Sequence, residues 1–280
     1  MPSLSDVMTP DAEGLAKDAK GDGRTADPAV SDPAFFEWLL RTGDNALILG
    51  HRVSEWCGHS PVLEEDIALA NTALDLVGQA QMWLELAAGA EGAGRTADKL
   101  AYHRDASGFR NVLLVERPNG DFGKTLMRQF LFDAFHIELL RSLQDSSNRQ
   151  VAEIAEKAAK EVAYHLERSA DLVIRLGDGT PESHRRMKEA LDDIWPYAGE
   201  MFDADDVDAA MAEAGVAPTV ASLRAEWDRT VAEVLNEATL DRPESNFFHK
   251  GGKRGRHTEH MGFLLAEMQF LQRAYPDATW

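Results

Sequence analysis

The 280-residue sequence has one cysteine, no long apolar run and comparatively few basic residues. Cys57 cannot form an intramolecular disulfide, and no second cysteine accompanies it in a metal-binding or redox motif. This cysteine usage is typical of a reducing cytoplasm. No run approaches the roughly 18 apolar residues of a membrane span, and the amino terminus lacks the layout of a signal peptide. We therefore expect a cytoplasmic protein without membrane segments.

The shortage of basic residues excludes two classes of partner. Asp and Glu number 48 against 29 Lys and Arg, and the formal net charge is −19. Binding to nucleic acid or to anionic lipid depends on Lys and Arg that neutralise phosphates. Neither nucleic acid nor a membrane surface is an expected partner. The length, in contrast, is ample for a hydrophobic core.

Alternating strand patterns are absent, and helical periodicity dominates from Asp32 onward. Residues 1–31 contain almost no large apolar side chain, so we predict a disordered tail there and a single domain over residues 32–280. Four long helices are predicted at about 33–57, 60–89, 121–146 and 149–177, with a break in the first at 42–45. Further helices follow toward the carboxyl terminus. The expected fold class is all-α, a four-helix bundle with additional C-terminal helices.

In the second predicted helix, the apolar stripe comprises Ile67, Ala70, Leu74, Val77 and Leu84. Each of the four long helices also carries a carboxylate on or beside its apolar stripe, in several cases near an imidazole or amide. These residues are Glu55; Asp75 and Gln79; Asp133 and His136; Glu161 and His165.

The pattern partly matches the di-iron carboxylate bundles, which use four carboxylates and two imidazoles in Glu and Glu-x-x-His positions. Two departures stand out. No imidazole lies three or four residues after Asp75, and Glu161 and His165 are four rather than three apart. We expect hydrogen-bonded and ionic contacts across the core, with a di-iron centre and a single weakly bound metal as the alternatives.

A basic loop at residues 247–256 interrupts the acidic sequence. Lys250, Lys253, Arg254 and Arg256 lie there among three glycines. One interpretation is that this loop binds an anion, either the phosphates of a CoA thioester or the acidic face of a partner. The other is that it only neutralises the protein's own acidic surface.

Ten segments of the sequence resemble the C subunits of phenylacetyl-CoA 1,2-epoxidases. They are GHRVSEWCGH at 50–59, LEEDIALAN at 63–71, LDLVGQA at 74–80, RNVLLVE at 110–116, PNGDF at 118–122, RQFLFDAFH at 128–136, KEVAYH at 160–165, RLGDGT at 175–180, GGK at 251–253 and HTEH at 257–260. The resemblance extends from about residue 44 to the carboxyl terminus. Segments this numerous and scattered are specific to a subunit and not merely to a fold.

The resemblance implies a ferritin-like, non-catalytic structural subunit of a multicomponent oxygenase that epoxidises the ring of phenylacetyl-CoA during aerobic phenylacetate breakdown. It implies no catalytic residue, metal or cofactor in this chain. A homologous catalytic subunit would hold the di-iron centre, and a separate reductase subunit would supply electrons from NADPH through flavin and iron–sulfur groups. Phenylacetyl-CoA could contact the interface between subunits. The alternatives are an autonomous di-iron oxygenase or oxidase, and a stand-alone acyl-CoA-binding helical module.

Overall fold

In the computed structural model, which describes residues 32–245, 247–276 and 278, the chain forms helices and connecting loops, and that part of the chain contains no strand. The predicted tail at residues 1–31 lies outside the described residues. The helices are α1 (Pro33–Ser54), α2 (Leu63–Glu91), α3 (Ala97–Tyr102), α4 (Leu113–Glu116), α5 (Phe122–Leu143), α6 (Arg149–Gly177), α7 (Pro181–Ala198), α8 (Asp206–Glu213), α9 (Arg224–Glu237), α10 (Glu259–Met268) and α11 (Phe270–Ala274).

The four longest helices form the predicted bundle, in which α1 packs on α2, α5 packs on α6, and α2 contacts α6. Helices α7 and α9 cover the outer side of α5. Local signals explain where several helices begin, because side chains of Asp121, Asn148 and Thr180 accept hydrogen bonds from the first-turn amides of α5, α6 and α7. The all-α, ferritin-like fold class is confirmed.

Helix α1 runs without interruption through residues 42–45, so the predicted break is wrong. Gly43 lies where α1 crosses α2, and a Cβ there would come within 2.9 Å of Leu84 Cδ2. Asp44 is fully buried in an ion pair with Arg104, and Asn45 Oδ1 accepts a hydrogen bond from the amide of Val112 at 2.8 Å. These small and polar residues make tertiary contacts from within a helix, whereas the sequence suggested a turn.

The predicted start of α2 at Ser60 is also wrong. The helix begins at Leu63, and no side chain caps it. The carboxylate of Asp66 instead accepts a hydrogen bond from the amide of Gly58 at 2.8 Å, which ties the preceding turn to the first turn of the helix. A further break falls at Gln269, between α10 and α11, where the side-chain amide donates to the carbonyl of Ala101 at 3.0 Å.

The predicted apolar stripe of α2 is buried only in part. Leu84 lies in the core as expected, but Ile67, Leu74 and Val77 are exposed, and the face that packs into the bundle carries Leu76 and Trp83. Helix α2 is apolar on two sides, so periodicity could not decide which side is buried. Among the helices of residues 32–245, 247–276 and 278, none is long and apolar enough to cross a membrane.

Candidate functional site

Helices α2 and α6 bring four of the predicted polar residues into contact, of which Gln79 and His165 are buried and Asp75 and Glu161 are partly exposed. Gln79 is fully buried, and its Nε2 donates to Glu161 Oε2 at 2.9 Å. One helical turn away, His165 Nε2 and Asp75 Oδ2 are 2.9 Å apart. Gln79 and His165 are the residues that depart from the di-iron pattern. Each of them forms a hydrogen bond with a carboxylate of the opposite helix.

Helix α5 contributes Asp133, which has no exposed surface. Gln129 Nε2 donates to Asp133 Oδ1 at 2.7 Å, and the hydroxyl of Ser169 on α6 donates to Oδ2 at 2.9 Å. Sequence reasoning missed Ser169, although it lies one turn after His165 on the same face of α6. Both oxygens of Asp133 therefore have protein partners.

Burial controls the protonation of this cluster. Desolvation raises the pKa of Asp133 to about 8 and outweighs the hydrogen bonds from Ser169 and Gln129 that favour the carboxylate. Desolvation likewise lowers the pKa of His136 to about 3 and, against the attraction of Asp75, lowers the pKa of His165. At neutral pH Asp133 and the two histidines are thus uncharged, and the cluster avoids the cost of unpaired buried charge.

Four buried polar atoms of the cluster lack a hydrogen-bond partner: Gln79 Oε1, Gln129 Oε1, His136 Nδ1 and His165 Nδ1. The ring of His136 packs against Phe132, with centroids 5.1 Å apart. Ordered water can supply hydrogen bonds to these four atoms, since a buried water molecule typically bonds about three otherwise unpaired polar groups.

The cluster does not fit a di-iron centre. Such a centre needs carboxylate oxygens that are free to bridge two metals. Here both oxygens of Asp133 accept hydrogen bonds from side chains, and the side-chain amide of Gln79 donates to Glu161. Within the described part of the chain, no group of three or more His, Cys, Asp or Glu side chains is arranged to hold a metal ion.

Glu55, the predicted contribution of the first helix, does not belong to the cluster. It caps the carboxyl end of α1, and 38% of its side chain is exposed. Its carboxylate pairs with Arg52 at 2.8 Å and accepts a hydrogen bond from Asn119 at 2.8 Å. The prediction that Glu55 completes a set of core carboxylates is therefore wrong, because the first helix ends before the side chain reaches the interior.

Two other buried carboxylates escaped sequence reasoning, and both hold the carboxyl-terminal part of the chain on the bundle. Glu116 accepts hydrogen bonds from His257 Nδ1 at 2.6 Å and from the amide of Thr258 at 2.6 Å. Glu200 accepts hydrogen bonds from the amides of Leu113 and Gly251, both at 2.7 Å. Glu116 directly follows four apolar residues, and that position was the only sequence signal of its burial.

The Glu116 contact also sets the protonation of His257. Burial alone would lower the pKa of this imidazole, but the hydrogen bond and the charge of Glu116 raise it above its ordinary value. His257 Nε2 also lies 3.0 Å from the carbonyl oxygen of Phe109. Both ring nitrogens face acceptors, an arrangement that favours the doubly protonated ring.

Two lysines of the basic loop form ion pairs with acidic residues of the same chain. Lys253 is buried, and its Nζ lies 2.5 Å from Asp208 Oδ2 and donates to the carbonyl of Asp203 at 2.9 Å. Lys250 pairs with the Asp203 carboxylate at 3.3 Å. The prediction that Lys253 binds a partner or CoA is therefore wrong, because its charge is used inside the protein.

Arg254 and Arg256 differ from Lys253 in that both are exposed. Arg254 lies 3.9 Å from Asp205, a contact weak enough to exchange for another anion. That these two arginines and Lys250 meet an anionic partner or CoA phosphates stays a prediction.

Comparison with known proteins agrees with the resemblance found in the sequence. The model of a family described as phenylacetic acid catabolic protein matches residues 19–280. The chain is also 48% identical over 243 residues to the C subunit of the 1,2-phenylacetyl-CoA epoxidase of Escherichia coli (strain K12). The match covers 87% of this chain and 98% of that protein. The predicted resemblance is thus confirmed over nearly the full length of a known subunit.

Proposed function

The chain belongs to the phenylacetic acid catabolic protein family, and we propose that it is the non-catalytic structural subunit of an oxygenase that epoxidises the ring of phenylacetyl-CoA. The similar protein of Escherichia coli is named as one subunit of a 1,2-phenylacetyl-CoA epoxidase. In this proposal the chain works in the cytoplasm as part of a complex that serves aerobic phenylacetate breakdown.

The polar cluster of the bundle carries the proposal of a structural role. An oxygenase of this fold needs carboxylates whose oxygens are free to bind metal. In this chain both oxygens of Asp133 accept hydrogen bonds from side chains, and Glu161 accepts a hydrogen bond from the amide of Gln79. The contacts join α2, α5 and α6, so the cluster performs the bridging that a metal centre performs in a catalytic bundle.

The chemistry would then lie in other subunits. We propose that a homologous catalytic subunit holds the di-iron centre and pairs with this chain, which stabilises it. A reductase subunit with flavin and iron–sulfur groups would deliver electrons from NADPH. If phenylacetyl-CoA reaches the interface between the two helical subunits, the exposed Arg254 and Arg256 are the residues of this chain suited to its phosphates.

The test is to purify the chain alone and together with the homologous catalytic subunit of the same organism. Alone, it should contain well under one iron per polypeptide and should not consume oxygen with phenylacetyl-CoA. Together, the two chains should co-elute as a complex. Two tightly bound irons per polypeptide, with the spectrum of an oxo-bridged pair, would establish the autonomous oxygenase instead.

A further inference from the structure

Helix α2 exposes a continuous apolar face to solvent. Leu63 is 70% exposed, Ile67 53%, Leu74 71% and Val77 37%. At 3.6 residues per turn these four side chains fall within about 80° of the helix circumference and extend over about 21 Å of its length. The opposite side of α2 is buried in the bundle through Leu76 and Trp83. A helix that is apolar on both sides is normally covered on both sides.

Gly78 lies on the same outer face, near the centre of the 29-residue helix. A Cβ at this position would meet no atom of the chain within 4 Å. At Gly43, by comparison, a Cβ would come within 2.9 Å of Leu84 where α1 crosses α2. Glycine in a helix interior is less stable than alanine, so a glycine without an internal contact calls for another explanation. Close approach by a helix of another molecule provides one, because small residues reduce the distance between packed helices.

The charges of α2 indicate which molecule can approach. The helix contains six carboxylates and no Lys, Arg or His. Glu65, Asp75 and Glu91 already pair with other residues of the chain, and Glu64, Asp66 and Glu85 make no ion pair within the described residues. A second copy docked through α2 would therefore place carboxylates beside carboxylates, with no basic residue on either helix, and both chains have a formal charge of −19. Like charges across an interface are strongly unfavourable. A different chain with Lys and Arg around an apolar strip has complementary charge.

We propose that the outer face of α2, formed by Leu63, Ile67, Leu74, Val77 and Gly78, is the docking surface for a helix of a different subunit. That helix presents an apolar strip bordered by basic residues, and its backbone passes close to Gly78. The inference rests on the proposed function, under which this subunit is the homologous catalytic one. The inference specifies that the contact is made by α2 and that the partner helix crosses it at Gly78. The proposed function specifies neither.

Two variants test the surface from opposite directions. Leu74→Glu places a charge in the middle of the apolar face. Gly78→Gln fills the space above the glycine and improves helix propensity, so the isolated chain should keep or increase its melting temperature. Sedimentation velocity with the catalytic subunit should show the dissociation constant rising about 30-fold or more for each variant, as expected for central interface positions. Binding of the unmodified chain should weaken as salt increases.

Phe263→Glu is the matched control, because Phe263 on α10 is 71% exposed, as is Leu74. Its dissociation constant should remain within about twofold of the unmodified chain. If Leu74→Glu and Gly78→Gln bind normally, the docking surface is wrong while the proposed function stands. Equal loss from Phe263→Glu, or a homodimer that Leu74→Glu disrupts, would also overturn the assignment. If the unmodified chain forms no complex with the catalytic subunit, both the proposed function and this inference fail.

Discussion

Replacing Asp133 with asparagine should make the protein less sensitive to alkaline pH. The pKa of Asp133 is raised from 3.8 to about 8 by burial, so this carboxyl group binds a proton in the folded state at pH 7 and not in the unfolded state. A group whose pKa is raised on folding loses its contribution to stability as pH increases through the folded pKa. Asparagine has nearly the same shape, can bond Gln129 and Ser169, and cannot ionise.

The magnitude follows from the two pKa values. Between pH 6.5 and pH 8, ionisation of Asp133 in the unfolded chain lowers the free energy of unfolding by about 1.5 kcal/mol. Below about pH 6.5 the signal is obscured, because His136, with its pKa lowered to about 3, makes stability increase with pH over that range. From pH 6.5 to 8 the effect of His136 is small, and it cancels in the comparison with Asp133→Asn because both chains contain His136.

Urea denaturation followed by far-ultraviolet circular dichroism at pH 6.5, 7.0, 7.5 and 8.0 measures this slope. The free energy of unfolding of the unmodified chain should fall about 1.5 kcal/mol more than that of Asp133→Asn over this window. Asp171→Asn, an exposed substitution on α6, should keep the slope of the unmodified chain. If Asp133→Asn and the unmodified chain have the same slope, Asp133 is ionised in the fold and the reasoning about a neutral cluster is refuted.

Three further substitutions test the remaining contacts through urea denaturation. Lys253→Met should cost about 2–3 kcal/mol because the buried Asp208 loses its nearest cation and keeps only Arg41 at 3.4 Å, whereas the exposed Arg254→Ala should cost at most about 0.5 kcal/mol; equal costs would contradict the buried pair. Gly43→Ala should destabilise the chain by about 1–2 kcal/mol, because overpacking against Leu84 and Trp83 outweighs the gain in helix propensity, and a neutral result would show that the crossing is looser than described. Glu116→Gln should cost about 1–3 kcal/mol below pH 6.5, and less as pH rises through the raised pKa of His257, so a cost independent of pH would argue against that ion pair.

Local sequence signals predicted where the helices begin better than which of their faces are buried. Asp121, Asn148 and Thr180 mark three helix starts because a cap depends only on residues within one turn. The orientation of α2 was not predictable, since Leu74 and Leu76 are equally apolar and the choice between them depends on what packs against the helix.

In the candidate site, too, the positions of residues on helix faces were predictable, whereas contacts between distant parts of the chain were not. Periodicity placed Asp133, Glu161 and His165 on inward faces, and the structure joins their helices through hydrogen bonds. The burial of Lys253 could not be predicted from its position in a basic stretch, because its partner Asp208 lies 45 residues earlier. Charge patterns in a sequence show which residues can pair but do not show which pairs the fold buries.

The most direct test of the structural role is to assemble the complex with a chain that carries both Asp133→Asn and Glu161→Gln. These substitutions remove the two carboxylates best placed to bind metal and preserve the size of both side chains. We predict that iron content per complex and the rate of phenylacetyl-CoA epoxidation stay within about twofold of the unmodified complex. Loss of iron from the complex, or a rate reduced by about a hundredfold or more with the complex intact, would contradict a non-catalytic role for this chain.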